Sequence, residues 1–116
     1  MGATNFTNIE KGRTAEQAFA RAQAAAPKGG YTGTIAEKHG FKMISRPATF
    51  PHPQDQNDST DLLGWADNKG WDNDKWDDCY CIEISLEEYA AVAKWYNIMM
   101  PTGTEKIFVF FGTASC

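Results

Sequence analysis

Residues Ile107–Phe111 read IFVFF, five apolar side chains in succession. A strand with one face in water alternates apolar and polar residues, so a short run without alternation has to be covered on both sides. The stretch therefore predicts a central strand, and the rest of the chain must supply its neighbours and its cover.

Several segments qualify as neighbours. Tyr80, Ile82 and Ile84 alternate with Cys81 and Glu83, the pattern of a strand with one buried face. Asn5–Ile9 (NFTNI) reads as a short strand before a turn at Lys11-Gly12. Tyr31–Ile35 (YTGTI) and Phe41–Ser45 (FKMIS) are rich in β-branched and aromatic residues, and the AEKHG between them suggests a hairpin.

Two helices supply the cover. Thr14 followed by Gln17 makes a capping box, Glu16 complements the positive helix end, and Ala18, Phe19, Ala22, Ala25 and Ala26 recur at helical spacing before Pro27 and Gly29-Gly30. Ser85 with Glu88 is a second capping box, opening a helix striped by Leu86, Tyr89, Ala90, Ala93 and Tyr96 and ended by Pro101. Residues 46–78 fit neither pattern and read as one long insertion loop with a helical turn near Asp61-Leu62-Leu63. The order β-α-β-β-loop-β-α-β predicts an α+β fold, a mainly antiparallel sheet with two helices on one face.

The 116 residues suffice for one core, so a single domain is expected. Residues 1–54 hold 7 basic and 3 acidic side chains, and residues 55–116 hold 4 and 12, so a net charge of −4 divides into +4 followed by −8. Neutralising phosphates needs Lys and Arg, so the acidic half argues against direct nucleic-acid binding and suits a basic partner. Three cysteines, Cys79, Cys81 and Cys116, make no disulfide framework and fit a reducing compartment. The sequence shows no apolar stretch of spanning length, no signal-peptide pattern and no myristoylation pattern, so a soluble protein of the cytoplasm, without membrane contact, is the expectation.

The acidic half contains GWADNKGWDNDKWDD, Gly64–Asp78, with three tryptophans and five aspartates in fifteen residues. One reading folds one or two of the indoles back onto the core edge and leaves the aspartates as solvated turn residues. The other is a partner-binding face of Trp65, Asp67, Trp71, Asp72, Asp74, Trp76, Asp77 and Asp78, since Trp anchors interfaces and clustered carboxylates steer a basic partner. The two combine if Trp76 turns inward and Trp71 outward.

Other chemistries fit less well. Counting an EF-hand loop from Asp72 puts Trp76 and Asp77 where an oxygen ligand and a glycine belong. One residue between Cys79 and Cys81 is too short for a zinc knuckle, even with His39, His52 and Cys116 to draw on. No nucleophile–base pair emerges from spacing, and KGGYTGT (Lys28–Thr34) follows a helix where a phosphate loop would precede one. No catalytic residue, metal or cofactor is called for.

GGYTGTIAEK (Gly29–Lys38), with MGATNF at the start and FFGTASC at the end, resembles a family of short uncharacterised proteins of phages, plasmids and other mobile elements. The resemblance covers about the first 45 residues and the last few, and residues 46–78 look particular to this chain. It implies a mobile-element setting in which small acidic proteins inhibit host defence complexes, in the anti-CRISPR or anti-restriction manner. Such targets grip nucleic acid through Arg and Lys channels that a carboxylate array can occupy. The expectation is a small non-enzymatic protein-binding module acting on a basic, nucleic-acid-handling host defence protein. The alternative is a small-ligand binder in which Trp and Tyr stack on a nucleotide or sugar. A third is a small enzyme whose geometry spacing does not reveal.

Overall fold

The structure, a computed structural model, describes residues 3–26, 33–45, 58–74, 76–86, 89 and 105–115, and at 58–61, 63, 67 and 115 it describes the backbone alone. In chain order the elements are β1 (Ala3–Gly12), α1 (Ala15–Ala25), a 3₁₀ turn (Ile35–Glu37), β2 (Phe41–Met43), α2 (Asp58–Gly70), β3 (Cys79–Ile84) and β4 (Lys106–Ser115).

IFVFF takes the central place expected of it. β4 runs antiparallel to β1 from Ala3↔Ser115 to Gly12↔Lys106, and antiparallel to β3 from Tyr80↔Phe111 to Ile84↔Ile107. β2 adds to the far side of β3 in parallel, giving the order β1-β4-β3-β2. The fold is α+β with a mostly antiparallel sheet.

Alternation along β4 divides the interior in two. Ile107, Val109 and Phe111 join Ile82, Ile84, Tyr89, Leu62 and Ala66 on one face. Phe108 and Phe110 join Cys79, Cys81, Ile35, Ala18, Phe19 and Ala22 on the other. Each fully buried large apolar side chain contributes about 1.5–3 kcal/mol relative to exposure. On the second face the Phe110 ring meets Phe19 at 5.5 Å and Phe41 at 5.4 Å, with Phe19 and Phe41 5.2 Å apart, so the three rings lock α1, β2 and β4 together.

α1 forms where its cap predicts. Thr14 Oγ1 accepts the Gln17 amide at 3.1 Å, and Gln17 Oε1 reaches back to the Arg13 amide at 2.7 Å, so two otherwise unsatisfied donors are covered.

Three expectations change. The sheet carries α1 and α2 on opposite faces rather than two helices on one face, because β3 buries Cys79 and Cys81 on one side and Ile82 and Ile84 on the other. Within the loop expected at 46–78, residues 58–70 form α2, whose Leu62 and Ala66 lie one turn apart and pack on the sheet with Trp65 beside them.

Among the described residues, 33–35 of YTGTI form no hairpin strand. Gly33 has φ 70°, a conformation glycine adopts without strain, and its amide donates to Glu37 Oε2 at 2.5 Å. Thr34 caps the 3₁₀ turn by accepting the Ala36 amide at 3.3 Å, and the turn drops Ile35 into the core. These local side-chain bonds outcompete a ladder there, and β2 pairs with β3 instead. Tyr31 and Thr32 lie outside the described residues.

Of the helix expected from Ser85, only Ser85, Leu86 and Tyr89 are described: the Tyr89 amide donates to the Ser85 carbonyl at 3.0 Å, and Tyr89 is buried in the cluster of Ile82 and Ile84. Its continuation lies outside the described residues. Among the described residues no helix is long and apolar enough to cross a membrane.

Candidate functional site

The acidic tryptophan stretch continues from the end of α2 into a compact turn leading to β3. The amides of Trp71, Asp72 and Asn73 donate to the carbonyls of Asn68, Lys69 and Gly70, closing the helix. Thr113 Oγ1 on β4 also donates to the Gly70 carbonyl, at 2.7 Å, pinning that end to the sheet. Asp74 Oδ1 then accepts the Trp76 amide at 3.0 Å, and Asp77 Oδ1 accepts the Asp78 amide at 2.9 Å. These bonds use the capacity of aspartate to cap its own backbone, as the turn reading of the sequence expected.

Two buried polar residues hold the turn from inside. Asn73, 5% exposed, accepts the Thr113 amide at 3.1 Å and the Lys38 ammonium at 2.9 Å on one oxygen, while its Nδ2 donates to the Asp78 carbonyl at 2.7 Å. Lys38, 4% exposed, also donates from Nζ to the carbonyls of Asp74 at 3.1 Å and Asp77 at 2.6 Å. Burial pushes Lys38 below its ordinary pKa, against the opposing pull of Cys79 and of the Asp77, Asp74 and Asp78 carboxylates.

With main-chain oxygens turned inward, the carboxylates of Asp72, Asp74 and Asp77 face solvent, and Asp78 is half-buried. Trp71 and Trp76 are 55% and 64% exposed, unusual for the largest apolar side chain. Each of these indoles is followed in sequence by an aspartate with a lysine nearby: Lys69 Nζ lies 3.7 Å from Asp72, and Lys42 Nζ lies 3.5 Å from Asp77. Lys42 also sits 5.2 Å above the Tyr80 ring, and the Tyr80 hydroxyl donates to the Asp72 carbonyl at 3.3 Å. Asp77 is held below the usual carboxylate range, first by the Asp78 amide and then by Lys42.

Of the eight residues singled out from sequence, Trp71, Asp72, Asp74, Trp76, Asp77 and Asp78 are brought together in this turn. Trp65 is not among them: its ring packs edge-on against Phe111 at 5.5 Å and belongs to the core. Of the arrangement with Trp76 inward and Trp71 outward, the Trp71 half holds, whereas Trp76 is outward too and Trp65 fills the inner place. Asp67 lies on α2, with its side chain outside the described residues.

Spacing gave no sign of Lys38, Asn73, Lys42 or Lys69. A lone lysine in AEKHG reads as a solvated turn residue, and only its burial reveals otherwise. His39 is exposed, and His52 lies outside the described residues. Cys79 and Cys81 are buried thiols, each pushed up to about 12 by burial. Among the described residues no group of three or more His, Cys, Asp or Glu is placed to hold a metal ion.

The fold and this turn together define a small α+β domain that displays indoles beside carboxylates on a braced edge. In comparison with known proteins, no family model, no curated protein and no solved structure matches the chain.

Proposed function

We propose that this chain is a non-enzymatic binding protein whose Trp71–Asp78 turn engages a basic protein surface. The observation that carries the reading is the exposure of Trp71 and Trp76, 55% and 64%, beside outward carboxylates on a turn braced by buried hydrogen bonds. Exposed indoles left in water forgo burial energy that a partner can recover, and a pre-formed turn loses little entropy on binding. The adjacent Trp–Asp steps favour arginine over lysine in the partner, because a guanidinium can stack on an indole while its fork meets a carboxylate.

The resemblance to mobile-element proteins extends the proposal to a target: a nucleic-acid-handling defence protein of the host cytoplasm, inhibited by carboxylates that occupy its phosphate-binding channel. The supporting features are the −8 charge of residues 55–116 and the clustering of that charge around two exposed anchors.

The test is fluorescence anisotropy of a labelled arginine-rich peptide titrated with the protein. Binding should weaken between about 0.01 M and about 0.15 M salt, where the screening length falls from about 30 Å to about 8 Å. The combined Asp72→Asn, Asp74→Asn, Asp77→Asn and Asp78→Asn variant should fold and fail to bind, because asparagine keeps the oxygen acceptors for the Trp76 and Asp78 amides and loses only charge. Undiminished binding by that variant rejects the reading. Salt-insensitive binding of a nucleotide or a neutral sugar would favour stacking on a small ligand instead.

A further inference from the structure

We infer that Lys38 is the positioning residue of the acidic turn: its ammonium serves as a built-in cation at the centre, drawing main-chain oxygens inward so that the carboxylates stand outward. The inference rests on the reading of the turn as a binding face only for its functional consequence; the structural role stands by itself.

An ammonium has three N–H donors, and among the described residues Asn73 Oδ1 at 2.9 Å and the carbonyls of Asp74 at 3.1 Å and Asp77 at 2.6 Å converge on this one. Each of these described acceptors is a main-chain or amide oxygen. A buried lysine ordinarily takes a carboxylate partner. Here main-chain oxygens and an amide accept the described hydrogen bonds, while the charges of Asp77, Asp74 and Asp78 act on the ammonium coulombically. The same ammonium spans both halves of the turn, Asn73–Asp74 and Asp77, which have to be close together for Trp71 and Trp76 to flank one patch.

Lys38 is itself fixed. Gln23 of α1 donates to the carbonyls of Lys38 at 2.5 Å and Ile35 at 3.3 Å, and the Lys38 amide closes the 3₁₀ turn on the Ile35 carbonyl at 3.0 Å. The turn's geometry is thus referred back to α1 on one face of the sheet and, through Asn73 and Thr113, to β4. Burial opposes the charged form, so the lysine is retained at a cost, as expected of a group that specifies one conformation rather than adding net stability.

The test uses Lys38→Met, which keeps the length of the stem and removes the donors. Hydrogen exchange at the Asp77 and Thr113 amides should accelerate at least about tenfold, while Ile9 and Val109 in the β1–β4 ladder keep their protection. Arginine-peptide affinity should fall together with turn protection. Unchanged exchange at Asp77 and Thr113 in this variant overturns the inference. Should Lys38→Met fail to fold, the wild-type protein decides: nitrogen-detected spectra should show a Lys38 ammonium whose protons exchange with water at least about tenfold more slowly than those of exposed Lys42 and Lys106. Equal exchange rates overturn the inference too. If the wild-type protein ignores the peptide while Lys38→Met loosens the turn, the proposed function fails and the positioning role stands.

Discussion

The side-chain oxygen of Asn73 lies 3.1 Å from the Thr113 amide, two positions past Phe111, the last β4 residue paired with β3. Asn73 thereby continues the β4 edge where the neighbouring strand has ended, and it brings the acidic turn with it. The contact depends on Gly112, since a Cβ there would stand 2.5 Å from Asn73 Oδ1 and 3.2 Å from the Cys79 Cβ. Asn73 cannot swing aside without breaking its bonds to Lys38, Thr113 and the Asp78 carbonyl. Gly112→Ala should therefore cost about 1–3 kcal/mol, the range for overpacking, and denaturant unfolding should show a lowered midpoint with an unchanged slope. An unaltered midpoint would mean that the turn yields freely.

Asp77 offers a second measurement, by carbon-detected titration of its carboxyl group. Its folded value lies below 3.8, so its contribution to stability is present above 3.8 and is lost as pH falls through the lower folded value. Because the Asp78 amide is the larger cause and Lys42 the lesser, Lys42→Met should move the midpoint upward without erasing the depression. A full return to 3.8 in that variant would assign the shift to Lys42 alone.

The sheet's centre was legible because Ile107–Phe111 has no polar residue with which to face water, and α1 because Thr14 and Gln17 announce a cap. The two-sided cover of β3 was missed at Cys81. Cysteine reads as polar or apolar with equal ease, and taking it as the wet side gave that strand one buried face, whereas both of its faces are covered. Of the helix at 58–70 only a turn near Asp61-Leu62-Leu63 was legible, because among the described side chains its apolar face amounts to Leu62, Trp65 and Ala66, in a segment of aspartates, asparagine and glycine, residues of poor helix propensity that packing overrides. The parallel pairing of β2 with β3 and the reach of Lys38 to Asn73 join segments more than thirty residues apart, and no local pattern encodes them. In the candidate turn the aspartates and indoles were visible, whereas the buried lysine that arranges them was not.

Cys79 and Cys81 should resist alkylation in the native protein at pH 8 and react only on unfolding, as intact-mass measurement after iodoacetamide treatment can show. Their pH linkage has a definite sign. Above 9.0 the unfolded thiols lose protons while the folded ones hold theirs up to about 12, so this contribution to stability falls as pH rises through that window. Lys38 acts oppositely, since its folded value lies below 10.5 and the unfolded chain holds the proton longer. Lys38 also restrains the rise of Cys79, so Lys38→Met should steepen the alkaline loss of stability on both counts. A shallower slope in the variant would contradict the assignment.

The tryptophans separate stability from recognition. Trp65 packs its ring 5.5 Å from that of Phe111 and covers the face occupied by α2, so Trp65→Ala should cost about 3 kcal/mol, the lower end for deleting a large aromatic from a core because the ring is only partly buried. Trp71 and Trp76, 55% and 64% exposed, should tolerate alanine within about 0.5 kcal/mol, as surface positions do. Affinity for an arginine-rich peptide should follow the opposite order. Loss of either exposed indole should weaken binding by at least about tenfold, the scale of an interface anchor, while Trp65→Ala at a temperature where it remains folded binds as the wild type does. Chemical denaturation and peptide titration on the same three variants give both orders. If the exposed pair governs stability instead, the rings close the core edge and the turn presents no anchor.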